Sequence, residues 1–366
     1  MKNRQLRNRT QREILPPIQF AASPALEGLL SEQLSPAAQA FLEELHLRFE
    51  ARRRDLLEGR LVPEGEVGDI SAWMRSGEWR LAPPPPRWQA GRRELHCPAE
   101  EAFGAPNEEA DTIVTDLEAP RAWGDLLAAH RAVQRSAKAP SERFLGIALR
   151  PRAWHLTEPR FRVRGEPMAA SLFDLGLYLF HAAEPLLESG RGPHLHLAKL
   201  EGPRDARLWN DVLVFAERVL GLPVGTVRVT LLIDTVAGAR EAEEMLYELR
   251  DHALALALDP TAYAQNFSRR GMASGASVNE GLNAFAQELG RRRCAQVLAA
   301  VAPGGTAPLG LDGSWFRKPS FFSEAPDEVV MSEIWRAEQD THALQAGYVD
   351  ASASTSLFAG DTRVFL

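Results

Sequence analysis

The sequence predicts an α/β fold assembled from parallel β/α units. Three observations carry that prediction. Beyond about residue 110, short apolar runs alternate with amphipathic helical stretches, the pattern of strands joined by crossover helices. Five of these runs begin with apolar or small residues and lead into a charged residue at their carboxyl end. A chain of 366 residues accommodates one barrel of about 250 residues with appendages as readily as two or three domains.

Residues Met1 to Arg12 carry five basic side chains and no acid. They lack the apolar core of a secretory signal, and 1–34 is expected to be a flexible tail. Ser35-Pro36 supplies a helix cap followed by proline at the first helical position. Phe41, Leu45, Leu47, Phe49, Leu56 and Leu57 continue that helix, which should stop near Gly59. Leu81 to Arg93 contains Pro83-Pro84-Pro85-Pro86. It can be neither regular helix nor central strand and reads as a connection. An N-terminal helical segment over 35–92 is therefore expected, then a main domain over 93–320 and a C-terminal segment over 321–366. The apolar runs are Thr112–Val114, Gly146–Leu149, His194–Lys199, Val227–Asp234, Leu254–Asp259 and Cys294–Val301. Between them Leu172, Leu175, Leu179, Phe180, Ala183 and Leu187 form one helical stripe. Leu208, Val212, Phe215, Val219 and Leu222 form a second, and Ala242, Met245, Leu246 and Leu249 a third.

The 42 basic and 49 acidic residues leave a formal charge of −7. That balance argues against nucleic acid or an anionic membrane as the main partner. No run of about 18 apolar residues occurs. Cys97 and Cys294 have no metal spacing and read as reduced thiols of a cytoplasmic protein.

Polar residues at the ends of the runs carry the chemistry. Side chains at i, i+2 and i+4 of a strand share a face. Asp116 and Glu118 follow Val114; Arg150 and Arg152 follow Ala148; Lys199 and Glu201 follow Leu197. Asp234 follows Leu232, and Asp259 follows Ala257. In a β/α barrel such ends converge at one mouth, where active sites lie. A single charge there is ordinarily a solvated loop or a helix cap, as Asp259-Pro260 illustrates. Five strands ending alike make a carboxylate-rich mouth with arginine. Carboxylates without His or Cys suit Mg²⁺, and arginine suits an anionic or carbonyl substrate. Together they suit enolate chemistry. His194 and His196 fall on the opposite face and read as packing. His252 reads as a cation in the last turn of a helix.

At these residues the chain resembles the A-type malate synthases. The words that carry the resemblance are Arg-Pro-Arg-Ala-Trp-His-Leu (150–156), Gly-Glu-Pro (165–167) and Ser-Leu-Phe-Asp-Leu-Gly-Leu-Tyr (171–178). They continue through Lys-Leu-Glu (199–201), Arg-Leu-Trp-Asn-Asp-Val (207–212), Leu-Pro-Val-Gly-Thr (222–226), Leu-Leu-Ile-Asp-Thr (231–235) and Leu-Tyr-Glu-Leu-Arg-Asp-His (246–252). The resemblance implies a TIM-type (β/α) barrel with an N-terminal helical piece and a C-terminal helical domain that closes over the mouth. It implies a Mg²⁺-dependent Claisen condensation of acetyl-CoA with glyoxylate, giving malate and CoA. Arg150 matches the arginine that stabilises the enolate and polarises glyoxylate. Asp234 matches the glutamate that ligates Mg²⁺, one methylene shorter. Asp116, Glu118, Arg152 and Lys199 are the expected substrate-binding residues.

The chain departs from the family at several positions. The second acid of the Asp116-Leu117-Glu118 motif is Ala119. Aligned on Tyr263, the second metal ligand becomes Ala262, and a local shift would be needed for Asp259 to take its place. The Gly-Gly-Met word becomes Ala302-Pro303-Gly304. The word that carries the catalytic base is not found; Glu338 and Asp340 are carboxylates of the C-terminal segment. From the length, the closing domain is expected to be largely missing. Two other readings accompany the synthase: a non-catalytic homologue that binds a ligand or partner, and an acyl-CoA lyase running the reverse cleavage.

Overall fold

Strands buried on both faces must sit inside a layered structure, and these do. The computed structural model describes residues 24–59, 112–118, 122–139 and 146–258, with shorter pieces such as 81–83, 94–97 and 315–317. Its main sheet contains β1 (Glu94–Cys97), β2 (Thr112–Asp116), β3 (Gly146–Arg150), β6 (His194–Leu197), β7 (Arg228–Ile233), β8 (Ala253–Leu258) and β9 (Trp315–Arg317). Every pairing in it is parallel, in the order β8-β7-β6-β3-β2-β1-β9. Strands β1, β2, β3, β6, β7 and β8 are laid down in one direction, and the last strand in sequence pairs with the first. That is the winding of a barrel rather than of a doubly wound sheet, whose order reverses. Among the described residues the barrel is not closed: β8 and β9 are the sheet edges. The run Cys294–Val301, expected as a further strand between them, lies outside the described residues. A separate antiparallel hairpin, β4 (Thr157–Val163) and β5 (Glu166–Ala169), is inserted after β3.

The helices are α1 (Pro24–Gln33), α2 (Pro36–Gly59), α3 (Trp123–Lys138), α4 (Ala170–Glu188), α5 (Pro203–Leu220), α6 (Val236–Arg240) and α7 (Ala242–Glu248). The segment expected as a tail is thus helical from Pro24. Its end is tied down by Gln33, whose amide donates to Gln134 Oε1 of α3 at 2.8 Å. Ser35 caps α2 as expected, accepting the Ala38 N–H at 3.3 Å. Phe41, Leu42, Leu45 and Phe49 are buried along α2. They meet α4 at Gly176, where an added Cβ would overlap Leu42 Cδ2 and lie 3.1 Å from Leu45 Cδ1.

Buried polar side chains fasten the strands and the connection. Tyr178 donates to the Ile147 carbonyl and accepts the His194 N–H, both at 3.0 Å, so one hydroxyl bridges β3 and β6. Arg228 donates to the carbonyls of Ala82, Pro83, His252 and Ala253. Burial lowers its pKa to about 10, which leaves it charged at neutral pH. His252 is not in a helical turn: α7 ends at Glu248 and His252 is fully buried. Its ring lies 3.1 Å from Glu217 Oε2 and 3.1 Å from Asn210 Oδ1. Glu217 also accepts the N–H groups of Gly225 and Val227, so a buried carboxylate closes the turn from α5 into β7. Gly225 has φ +83, and a Cβ there would meet the Asp251 carbonyl at 2.8 Å. No helix among the described residues is long and apolar enough to cross a membrane.

The α2–α4 contact is the sharpest test of this packing. Gly176→Ala should destabilise the fold by about 1–3 kcal/mol through overpacking against Leu42. In denaturant titration the midpoint falls at an unchanged slope, and adding Leu42→Ala recovers part of the loss.

Candidate functional site at the carboxyl ends of the strands

The site follows from register. β2 and β3 pair in parallel with Asp116 directly opposite Arg150, so two opposite charges end neighbouring strands at the same level. Arg150 is only 4% exposed, and its Nη1 lies 3.2 Å from Asp116 Oδ2. The other Asp116 oxygen accepts the Glu118 N–H at 2.9 Å. That turns the chain back over the sheet and presents the Glu118 carboxylate. Glu118 Oε2 accepts the Ala153 N–H at 3.0 Å, and Oε1 meets Lys199 Nζ at 2.5 Å.

Lys199 was expected to continue the alternation of β6. Instead β6 ends at Leu197, and Lys199 adopts a left-handed backbone with φ 57, which disfavours a side chain by about 1–2 kcal/mol. Its N–H donates to Asp234 Oδ1 at 2.9 Å. Asp234 directly follows β7 and is 3% exposed. Thr235 then caps α6, accepting the Gly238 N–H at 2.9 Å and donating to the Leu200 carbonyl at 3.1 Å. Arg150, Asp116, Glu118, Lys199 and Asp234 thereby form one chain of contacts across the ends of β3, β2, β6 and β7.

Arg152 is placed elsewhere. Its guanidinium grips both oxygens of Asp174 on α4, at 2.9 and 2.8 Å, and Glu158 on β4 at 3.0 Å. Its N–H also donates to Asp174 at 2.9 Å. Asp174 is fully buried, and although burial opposes its charge, the Arg152 guanidinium pulls its pKa down to about 2. Arg53 of α2, paired with Glu50 at 2.7 Å, donates to the Trp154 carbonyl at 2.6 Å. The loop after Arg150 is therefore pinned at three successive residues: Arg152 by Asp174, Ala153 by Glu118 and Trp154 by Arg53. Sequence reasoning passed over Asp174 and Arg53. The available signal was Asp174 itself, a carboxylate inside an otherwise apolar helical stripe.

Asp259, Glu338 and Asp340 lie outside the described residues. Ala262 is helical and half-buried. Nearby, Asn266 Oδ1 accepts the Val236 N–H at the start of α6 at 3.1 Å. Among the described residues no three His, Cys, Asp or Glu side chains are grouped to hold a metal. Asp116 faces Arg150, Glu118 faces Lys199, and position 262 offers only a methyl group. The described side chains do not fit a Mg²⁺ ligand set.

A singly wound parallel sheet with its charged residues gathered at the strand carboxyl ends defines a protein of the β/α-barrel class. The family model described as "Malate synthase, TIM barrel domain" matches residues 146–265. Malate synthase from Streptomyces clavuligerus is 38% identical over 255 residues, covering 62% of this chain and 47% of that protein. The Myxococcus xanthus malate synthase is 34% identical over 257 residues, covering 62% and 46%. That of Dictyostelium discoideum is 30% identical over 264 residues, covering 65% and 49%. Over residues 146–265 the chain is similar to the malate synthase barrel domain, and its matched part spans about half the length of these relatives.

The Asp174 clamp has a pH signature. Its folded-state pKa lies below the ordinary carboxylate value. The stabilisation is therefore complete above that value and is lost as pH falls from about 4 towards 2. Unfolding free energies measured across that window should decline. Asp174→Asn should lack this part of the decline, and at pH 7 it should be about 1–3 kcal/mol less stable because Arg152 keeps Glu158 but loses its charged partner on α4.

Proposed function

We propose that the chain carries out malate-synthase-like chemistry, joining the acetyl group of acetyl-CoA to glyoxylate. The observation that supports this reading is the in-register Asp116–Arg150 pair at the strand ends, of which Arg150 lies within the segment 146–265 that matches the family's barrel domain. In the reaction the acetyl methyl group loses a proton, and its carbon forms a bond to the aldehyde carbon of glyoxylate. Water then cleaves the thioester C–S bond, releasing malate and the CoA thiol. Arg150 directs its N–H donors at the oxygens on which negative charge develops, and Asp116 keeps the guanidinium oriented. Lys199, held by Glu118, adds a second cation facing the glyoxylate carboxylate. Asp116 and Glu118 are each paired with a cation, which disfavours either as the acceptor of the methyl proton.

The test mixes purified chain, acetyl-CoA and glyoxylate and follows free thiol. Release is expected, and Arg150→Ala should reduce it about 10²–10³-fold while preserving the circular dichroism spectrum. Release no greater than that of the variant removes the proposal. Ala262 in place of an acidic side chain favours a second reading, a non-catalytic homologue that binds a ligand. In that case glyoxylate raises the melting temperature and no thiol appears.

A further inference from the structure

We infer that Asp174 is a positioning residue: through Arg152 it fixes the exit of β3 and thereby the aim of the Arg150 guanidinium. The sequence Arg150-Pro151-Arg152 sets the problem. Proline has no N–H and a fixed φ, and it restricts the backbone of the residue before it. On the near side the Leu117 N–H holds the Arg150 carbonyl at 3.0 Å. Beyond Arg150 the first main-chain donor is the N–H of Arg152, and Asp174 Oδ2 accepts it at 2.9 Å. The rigid Pro151 lies between, so a constraint on Arg152 is passed back to the backbone of Arg150.

The same carboxylate grips the Arg152 guanidinium at 2.9 and 2.8 Å, so the main chain and side chain of one residue are held together. Asp174 is fully buried in an otherwise apolar helix. A buried ion pair adds little net stability over apolar packing. What it adds here is direction, because its two oxygens accept from defined donors. One turn further along α4, Tyr178 donates to the Ile147 carbonyl at 3.0 Å. One helix therefore holds β3 on both sides of Arg150. The consequence for turnover rests on the reading that Arg150 faces the developing negative charge; the consequence for the guanidinium itself does not.

Two substitutions in the full chain test the role. Asp174→Asn keeps an oxygen for the Arg152 N–H but loses the charged grip. Arg152→Lys keeps the cation but cannot hold both oxygens at once. In the thiol-release assay at pH 7 each should lower kcat about tenfold and leave the KM for acetyl-CoA within about twofold. Gly225→Ala, strained at φ +83 in the turn between α5 and β7, is the destabilised control and should keep the wild-type kcat below its melting temperature. An unchanged kcat in Asp174→Asn and Arg152→Lys, or an equal loss in Gly225→Ala, overturns the inference. A second readout needs no turnover. The Arg150 Nε–H resonance, assigned by its loss in Arg150→Lys, should exchange with water at least about tenfold faster in Asp174→Asn than in the wild type, and at the wild-type rate in Gly225→Ala. Exchange unchanged in Asp174→Asn overturns the inference. If the wild type releases no thiol, the functional reading fails, while the Arg150 resonance still decides the role of Asp174.

Discussion

Parallel register is the constraint on which the rest of this molecule depends. Because each strand in the main sheet runs the same way, the strands end at one level, and whatever charge ends one lies beside whatever ends its neighbour. Asp116 and Arg150 are the direct case, opposite each other by pairing and joined by an ion pair. Taking either charge out of water alone would cost several kcal/mol. Brought together by the backbone, each charge meets its partner at the strand ends. Glu118 and Lys199 repeat the arrangement across a longer gap, using an Asp116-capped turn on one side and a left-handed turn on the other.

Paired charges held at strand ends need loops that do not drift. The loop after β3 is held by side chains from three separate places: Asp174 on α4, Glu118 after β2 and Arg53 on α2. These are buried or half-buried contacts in which at least one partner is charged, the class that is stronger and more directional than neutral hydrogen bonds. The N-terminal helix thus does more than cover apolar surface. Through the Trp154 carbonyl it sets the path of the chain four residues beyond Arg150.

Much of this was legible in the sequence. Strands β2, β3, β6, β7 and β8 announced themselves as short apolar runs while β1, β4, β5 and β9 did not. The helix after Ser35-Pro36 began and ended where its cap and Gly59 indicated, and the charged strand ends pointed to one mouth. What escaped was information that local pattern does not contain. The left-handed turn at Lys199 depends on an acceptor 35 residues away. Arg152 looked like a second arginine of the mouth, because alternation alone cannot see Asp174 waiting on α4. His252 looked like a helix-end cation because the stripe through Leu249 hides the stop at Glu248, and its partner Glu217 is 35 residues distant. Periodicity reports which face is buried; it does not report which buried charges will find each other.

The four-carbonyl grip of Arg228 bears on how the chain is made. Its guanidinium reaches Ala82 and Pro83 from 146 and 145 residues further along the sequence. As the polypeptide leaves the ribosome, the proline-rich connection emerges long before the arginine that strap-locks it. The connection at Ala82 and Pro83 must therefore wait, at the entropic disadvantage of a long loop not yet closed, until β7 and β8 have been synthesised, although the helices before it find partners on α3, α4 and the loop after β3 earlier. In this molecule the proline-rich connection is among the last parts to reach its final place.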